Sequence, residues 1–281
     1  MLSRTKNHYG STVGQAQQHY DLGNEFFALF LDPSMTYSCA KFDGPQISLA
    51  TAQRAKIDLA LGKCELKAGQ LLLDVGCGWG GTVLRAAELH QLRVIGLTVS
   101  KNQYAYARGL AANEPRIEFR MQSWETFNEP VDRIVSIGAF EHFGRDRHRA
   151  FFEKCRTLLP EDGIVVVQSI TFGKPSKVFS FLRFVRFMSK EIFPGVDVPT
   201  PEVVIKCARS AHLELDHVES LRKDYVHTLE CWVNNLEANR KLAIELTNEA
   251  TYSMYKKYLT SCAAYFRSGE CNVHQFKLRP I

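Results

Sequence analysis

A glycine-rich turn is the first part of the sequence whose residue types and spacing could bind a ligand. Asp74 is followed by Gly76, Gly78 and Gly80, after an apolar run and before a helical pattern. Glycine removes side chains where the backbone must pass close to a ligand. A dinucleotide-binding fold places an acid after its second strand to bind the ribose, and the corresponding segment Leu97–Ser100 has none. The turn therefore indicates a cofactor loop that does not bind NAD. The alternative is a turn that only lets the helix approach the strand.

The elements around this turn alternate between strand and helix. Strands are predicted at 70–75, 93–98, 117–122, 131–137 and 163–171, with helices at 80–90, 101–112 and 146–159. Strands separated by helices of this length imply a doubly wound α/β fold with a parallel sheet. Further helices are predicted at 14–31 and 51–63, and largely over 228–266.

This pattern predicts a single domain over 1–281 with three parts. An N-terminal helical segment (1–54) is expected to cover the cofactor, and the core (55–171) to bind it. The remainder (172–281) is expected to form a C-terminal helical cap with the remaining strands, and to bind substrate at the carboxyl ends of the parallel strands, where such sheets bind ligands.

Composition excludes several classes of protein. The chain has 281 residues, of which 45% are hydrophobic and 23% charged, so it is too apolar to be disordered. It has no run of 18 apolar residues and no apolar segment typical of a signal peptide, so we expect a cytoplasmic protein. The net charge of +5 comes without a basic cluster, which argues against nucleic acid. Eight scattered cysteines without zinc spacing predict reduced thiols and no metal site.

The Asp-x-Gly-x-Gly-x-Gly turn resembles motif I of S-adenosylmethionine (SAM) methyltransferases, in which the acid lies near the methionine ammonium. Other segments resemble the cyclopropane fatty acid synthase family, especially its mycolic acid cyclopropane synthase branch. These segments are His19–Asp21, Leu31–Pro33, Thr36–Ala40, Ala55–Asp58, Leu73–Gly80, Gly96–Gln103, Val131–Gly144, Glu191–Gly195 and Tyr258–Cys262. They extend nearly from end to end and imply the class I, Rossmann-like methyltransferase fold.

The resemblance implies a set of cofactor-binding residues. They are Tyr37, Ser38, Asp74, Gly76, Gly78, Thr98, Gln103, Trp124 and Ile137. Thr98 and Gln103 can hydrogen-bond ribose hydroxyls without a carboxylate. Trp124 offers a flat face or edge to adenine, although for that residue taken alone an ordinary core tryptophan is the favoured interpretation.

The reaction implied by the resemblance transfers the SAM methyl group to an alkene carbon of an unsaturated lipid or acyl chain. The resulting carbocation loses a proton to close a cyclopropane. Such a cation needs aromatic faces and exclusion of water. The candidates to line that pocket are Tyr20, Phe140, Phe143, Trp232, Tyr265 and Phe266.

Members of the family bind bicarbonate as the proton acceptor, and the matching residues here are Cys39, Glu141, Tyr225 and the backbone of Ile137. A histidine on the fifth strand in those proteins is replaced here by Gln168, which can hydrogen-bond an anion but cannot carry a charge. Cys39 has no local activating partner, so a binding role is predicted for it. Glu141 is predicted either to act with bicarbonate or to be the general base itself. Its structural alternative is an acid at the head of a helix, facing the helix dipole.

Two departures leave the acceptor and product open. The segment 171–182 is shorter than in family members that handle very long acyl chains, and Gln168 replaces the histidine. The cation could therefore give a methyl-branched alkene or capture water. Alternatives are a C- or N-methyltransferase of a small isoprenoid or aromatic metabolite, and a SAM-binding protein without activity. The basic and aromatic stretch 174–190 is predicted either to dock an acyl carrier or an anionic lipid surface, or to be a solvated helix.

Overall fold

A seven-stranded sheet forms the centre of the computed structural model, which describes residues 22–44, 46–173 and 178–281. The strand order is β3-β2-β1-β4-β5-β7-β6. The strands are β1 (Leu71–Val75), β2 (Arg93–Thr98), β3 (Ile117–Met121), β4 (Arg133–Ile137), β5 (Ile164–Phe172), β6 (Leu213–Ser220) and β7 (Cys271–Pro280). The first five are parallel, and β7 is antiparallel to both β5 and β6.

Helices precede, connect and follow these strands. They are α1 (Asn24–Ala28), α2 (Leu49–Lys63), α3 (Gly81–Leu89), α4 (Lys101–Leu110), α5 (Arg145–Leu158), α6 (Val178–Phe187), α7 (Pro201–Arg209), α8 (Arg222–Ala238), α9 (Arg240–Leu246) and α10 (Glu249–Ser268). A π-helical turn (Met188–Ile192) extends α6. Within the ranges that the structure describes, no helix combines the length and apolar composition needed to cross a bilayer.

The five predicted strands and the helices between them are confirmed, with ends that shift by one or two residues. Strands β1, β4 and β5 are almost entirely buried, as expected where helices cover both faces of a parallel sheet. The predicted helix at 14–31 is wrong in its extent. Gly23 has φ +89° and α1 spans only Asn24–Ala28, while residues 14–21 lie outside the described residues.

The N-terminal segment and the cap share one aromatic core. Phe26, Phe27 and Phe30 are completely buried and contact Tyr255 of α10, with ring centroids 4.9 to 6.3 Å apart. Phe30 also meets Trp232 of α8 edge to face at 6.3 Å. Because these rings come from opposite ends of the chain, their burial fixes the segment before the sheet against the helices that follow it.

We expect Phe30→Ala to lower the free energy of unfolding by about 3–5 kcal/mol, since truncating a fully buried ring leaves a cavity among other rings. Phe179→Ala is the matched control, because Phe179 is 85% exposed and its loss should change stability by less than about 0.5 kcal/mol. Chemical denaturation of the two variants measures both values. Equal stabilities would show that the aromatic core does not hold the two segments together.

Candidate active site

The glycine turn opens onto a cleft at the carboxyl ends of β1, β2 and β4. We call this space the glycine cleft; it is bounded by the turn, the loop at 35–38, the start of α4 and Trp124. Its empty space is about 1430 Å³ when the open mouth is included. All nine predicted cofactor-binding residues line it: Tyr37, Ser38, Asp74, Gly76, Gly78, Thr98, Gln103, Trp124 and Ile137.

The three glycines of the turn are required for different structural reasons. Gly78 has φ +57°, and a Cβ there would meet no atom within 4 Å, so this backbone faces the open cleft. A Cβ at Gly76 would collide with Ala139, and one at Gly80 would collide with Phe119. Of the three, only Gly78 follows the predicted reason of leaving room for a ligand. The other two are required by protein packing.

Asp74 brings an unsatisfied carboxylate oxygen to the cleft. Its side chain is buried, and Oδ2 has no hydrogen-bond partner among the described residues. Burial raises the pKa of Asp74 to about 7, and nearby Lys56 acts in the opposite direction. A buried polar atom without a partner is costly. A cationic or hydrogen-bond-donating group bound in the cleft would remove that cost.

Helix α2 holds the loop that carries Tyr37 and Ser38. Lys56 Nζ donates to Ser38 Oγ at 2.8 Å, and Gln53 Nε2 donates to the carbonyl oxygens of Ser38 at 2.7 Å and Thr36 at 3.2 Å. Both side chains are completely buried, and burial lowers the pKa of Lys56 to about 8. Sequence analysis assigned neither residue a role. Their spacing of three residues places them on one helix face, and this spacing is the only feature of the sequence that could have indicated a shared role.

The opposite wall of the glycine cleft is built by β2 and the turns after β3 and β4. Thr98 Oγ1 donates to Gln103 Oε1 at 3.0 Å, and the Ser100 hydroxyl caps α4 by accepting from Gln103 N. Trp124 is nearly buried, and its ring lies 5.3 Å from that of Phe143. This wall therefore presents hydroxyl and amide groups beside an indole ring.

A second cavity lies between the sheet edge and the cap, and we call it the cap chamber. Helices α6, α8 and α10 line it with the apolar and aromatic side chains Phe184, Val185, Tyr225, Tyr258, Cys262 and Phe266. The four predicted catalytic residues also line it: Cys39, Glu141, Gln168 and Tyr225. Tyr37, Ser38, Gly138, His142 and Phe193 line both cavities, so the two spaces adjoin.

Glu141 is held against β5 by two hydrogen bonds. Its Oε2 accepts from Ser169 Oγ at 3.0 Å, and its Oε1 accepts from Ile170 N at 3.2 Å. Burial raises the pKa of this carboxyl group, and the hydrogen bonds oppose that shift. Glu141 belongs to the short 3₁₀ turn Phe140–His142, before α5 begins at Arg145. The interpretation as an acid at the head of that helix is therefore wrong.

Cys39 and Tyr225 bring uncharged donors to the cap chamber. Burial raises the pKa of the Cys39 thiol well above its usual range, and its Sγ donates to the carbonyl oxygen of Ala40 at 3.1 Å. Burial likewise raises the pKa of Tyr225. Both groups are protonated near neutral pH, which fits the prediction that Cys39 is not a nucleophile.

The predicted aromatic lining is only partly correct. Phe143 lines the glycine cleft and Phe266 the cap chamber. Phe140 and Trp232 are instead completely buried in core packing, and Tyr265 stacks on Phe184 with its hydroxyl donating to Ser180 O. Tyr20 lies outside the described residues. Phe184 and Tyr258 supply lining that sequence analysis missed, because hydrophobicity predicts burial but not which side chain borders a cavity.

No group of three histidine, cysteine or acidic residues within the described part of the chain could hold a metal ion. The cysteines there are all free. The sheet, its glycine turn and the cleft above it define a class I SAM-dependent methyltransferase.

Comparisons with known proteins identify the family. The family model of mycolic acid cyclopropane synthetase matches residues 8–276. Cyclopropane mycolic acid synthase 1 of Mycobacterium tuberculosis is 46% identical over 287 residues, which covers 98% of this chain and 99% of that protein. Cyclopropane mycolic acid synthase MmaA2 of the same organism is 46% identical over 274 residues, 93% of this chain and 95% of its own. The chain belongs to the mycolic acid cyclopropane synthetase family.

A solved structure agrees with this assignment. The crystal structure of mycolic acid cyclopropane synthase CmaA1 complexed with SAH and CTAB superposes with a TM-score of 0.93 and 46% identity. It covers 96% of this chain and 99% of that one. The predicted family, fold class, methyltransferase activity and SAM cofactor are thereby confirmed.

We expect the affinity for S-adenosylhomocysteine to rise as the pH increases towards about 7 and then to level off. The pKa of Asp74 is about 7 in the free protein, and the ligand ammonium is expected to bind the ionised form, so binding below that pH must release a proton. Calorimetric titrations between about pH 5.5 and about 8 measure the slope. Asp74→Asn should bind more weakly and show little pH dependence; an unchanged slope in this variant would assign the proton to another group.

Proposed function

We propose that this enzyme transfers the methyl group of SAM to an alkene carbon of an unsaturated lipid acyl chain. The observation that supports this most directly is the cap chamber, an apolar and aromatic space that adjoins the glycine cleft and contains the buried carboxyl of Glu141. An acyl chain fits such walls, since the transfer of an apolar ligand from water into an apolar cavity is favourable. Two relatives of this chain are cyclopropane mycolic acid synthases, which supports the same class of acceptor.

The chain's residues would act by positioning the acceptor and excluding water. SAM, when bound in the glycine cleft, supplies an electrophilic methyl group. One alkene carbon would bond to that methyl group as the bond from the methyl carbon to sulfur breaks, which would release S-adenosylhomocysteine and leave a positive charge on the adjacent alkene carbon. Tyr225, Tyr258 and Phe266 line the chamber and offer electron-rich faces to that charge. Loss of a proton from the added methyl group then closes a cyclopropane ring, whereas loss of a neighbouring proton gives a methyl-branched alkene.

The proton acceptor in this proposal lies at the Glu141 end of the chamber. Bicarbonate fits the groups present there: the Tyr225 hydroxyl and the Gln168 amide are donors, and the Glu141 carboxylate can accept the proton of a bound acid. The raised pKa of Glu141 also suits a general base, because a carboxylate that holds a proton more tightly accepts it more readily.

We expect Glu141→Gln to reduce turnover of an unsaturated acyl substrate by at least about a hundredfold, which is the scale of a lost general base. The affinity for S-adenosylhomocysteine should stay within about twofold, since Glu141 lines the cap chamber and not the glycine cleft. Glu153→Gln, which changes an exposed carboxyl on α5, is the control. Initial rates and calorimetry separate the two effects, and unchanged turnover would remove Glu141 from the reaction.

The same assay tests the acceptor. In a competition between an unsaturated acyl lipid and a small isoprenoid or aromatic alkene, the lipid should be methylated preferentially. Preference for the small molecule would contradict a lipid substrate, and SAM binding without any methylation would contradict the proposed function as a whole.

We further propose that α6 docks on an anionic lipid surface. Its outer face exposes Val178, Phe179 and Leu182 beside the exposed Arg183 and Arg186. Apolar side chains flanked by cations are typical of helices that lie at a membrane interface. The inner face of α6 lines the cap chamber. A lipid surface bound to the outer face of α6 would therefore present acyl chains next to the chamber.

We expect the double variant Phe179→Ser with Leu182→Ser to lose at least about tenfold in binding to vesicles that contain phosphatidylglycerol, because each apolar side chain contributes to insertion. Vesicle sedimentation with and without added salt measures this binding, and zwitterionic vesicles should bind more weakly. Leu242→Ser, at an exposed leucine on α9, is the control. Binding to an acyl carrier protein but not to vesicles would contradict the docking proposal.

A further inference from the structure

A row of polar side chains crosses the antiparallel side of the sheet and ends at the cap chamber. Gln168 of β5 pairs with Gln275 of β7, which pairs in turn with Glu219 of β6. Directly paired residues project from the same face of a sheet, so the three side chains lie side by side. Lys63, the last residue of α2, covers the far end of the row.

Hydrogen bonds connect this row from end to end. Lys63 Nζ donates to Glu219 Oε2 at 2.8 Å and to Gln275 Oε1 at 2.6 Å. Gln275 Nε2 then donates to Gln168 Oε1 at 2.9 Å. Gln275 is completely buried and Gln168 nearly so, so neither amide can exchange its protein partner for bulk water.

The ammonium group sets the direction of the whole chain of bonds. Lysine has donors and no acceptor, so Gln275 must turn its oxygen towards Lys63. Its amide nitrogen therefore faces Gln168, and Gln168 must present its oxygen to Gln275. An amide pair without such a neighbour could face either way, because its two ends have nearly the same shape.

The fixed orientation of Gln275 determines which end of the Gln168 amide faces the cap chamber. With its oxygen engaged, this side chain has its NH₂ group left to donate, and none of the residues that the structure describes accepts a hydrogen bond from Gln168 Nε2. Gln168 lines the cap chamber together with Glu141. The amide end that reaches the chamber is thus a donor.

We propose that Lys63 and Gln275 are positioning residues that keep Gln168 oriented as a hydrogen-bond donor to an oxygen acceptor bound in the cap chamber. The acceptor is either a small oxyanion such as bicarbonate or an oxygen atom of the lipid substrate. The inference rests on the proposed function only in taking the chamber as the site of reaction.

The variant Gln275→Glu tests the direction of the amides with little change of shape. Its carboxylate can still accept from Lys63, but it can no longer donate to Gln168. We expect Gln168 to turn its NH₂ group towards the new carboxylate and its oxygen towards the chamber. In protein labelled with ¹⁵N at glutamine, with Gln168 assigned from Gln168→Met, the side-chain amide protons of Gln168 should then exchange with solvent at least tenfold more slowly. Unchanged exchange would overturn the proposed orientation.

Binding measurements test what the donor serves. The linewidth of ¹³C-labelled bicarbonate, titrated with wild type and Gln275→Glu, reports binding of the anion without any turnover, and the KM for the acyl substrate reports the lipid. A tenfold loss of bicarbonate affinity in Gln275→Glu identifies an oxyanion as the acceptor. A tenfold rise in the KM for the acyl substrate identifies an oxygen atom of the substrate. If neither changes, Gln168 is not a donor to either ligand and the proposal fails.

Two further variants separate positioning from a general loss of stability. Lys63→Met should cause part of the change in amide exchange and ligand binding that Gln275→Glu causes. Lys63→Arg should behave like wild type, because arginine also only donates hydrogen bonds. Lys277→Met is the matched control, since Lys277 lies two residues along β7 and forms ion pairs with Glu65 and Asp216. This control should lower stability without changing amide exchange or binding. Absence of methylation in wild type would count against the proposed function but leave the exchange result intact.

Discussion

The loop at Thr36–Cys39 carries Tyr37 and Ser38, which line both the glycine cleft and the cap chamber, so the geometry of both spaces depends on how this loop is held. Its carbonyl oxygens accept from Gln53, and its Ser38 hydroxyl accepts from Lys56. A loop at a junction of two cavities would otherwise be free to move into either. Two buried donors on one helix face hold the loop in place between the two cavities.

The same anchoring places charge in the interior. Lys56 is completely buried. Burial lowers its pKa, and the negative charges of Asp32 and Asp74 act in the opposite direction. Asp74 in turn keeps one oxygen unpaired at the cleft. A buried charge is tolerated only when neighbours or a ligand compensate it. A cationic or hydrogen-bond-donating group bound at the unpaired oxygen of Asp74 would therefore stabilise this site.

Much of this arrangement could be predicted from the sequence, and the reason is physical. The apolar runs of β1, β2 and β5 have the length and composition of strands buried on both faces, and the turn at Asp74–Gly80 identifies the edge where ligands bind. The positions of β6 and β7 could not be predicted as readily, because β6 is largely exposed and carries little apolar pattern. Lys56 and Gln53 were missed since a polar residue in a helix gives no sign of the loop it will contact. Phe140 and Trp232 show the converse error: both are buried, but neither lines the glycine cleft or the cap chamber.

The strand order carries a kinetic consequence. β7 lies between β5 and β6 although about a hundred residues separate it from β5 along the chain. Contacts of such long sequence separation form slowly, because the entropic cost of closing a large loop comes before any stabilising contact between the strands has formed. The polar row through Gln275 exists only after that closure, whereas the parallel strands around the glycine turn are assembled from nearer segments. The half of the molecule that lines the glycine cleft is therefore expected to fold before the half that lines the cap chamber.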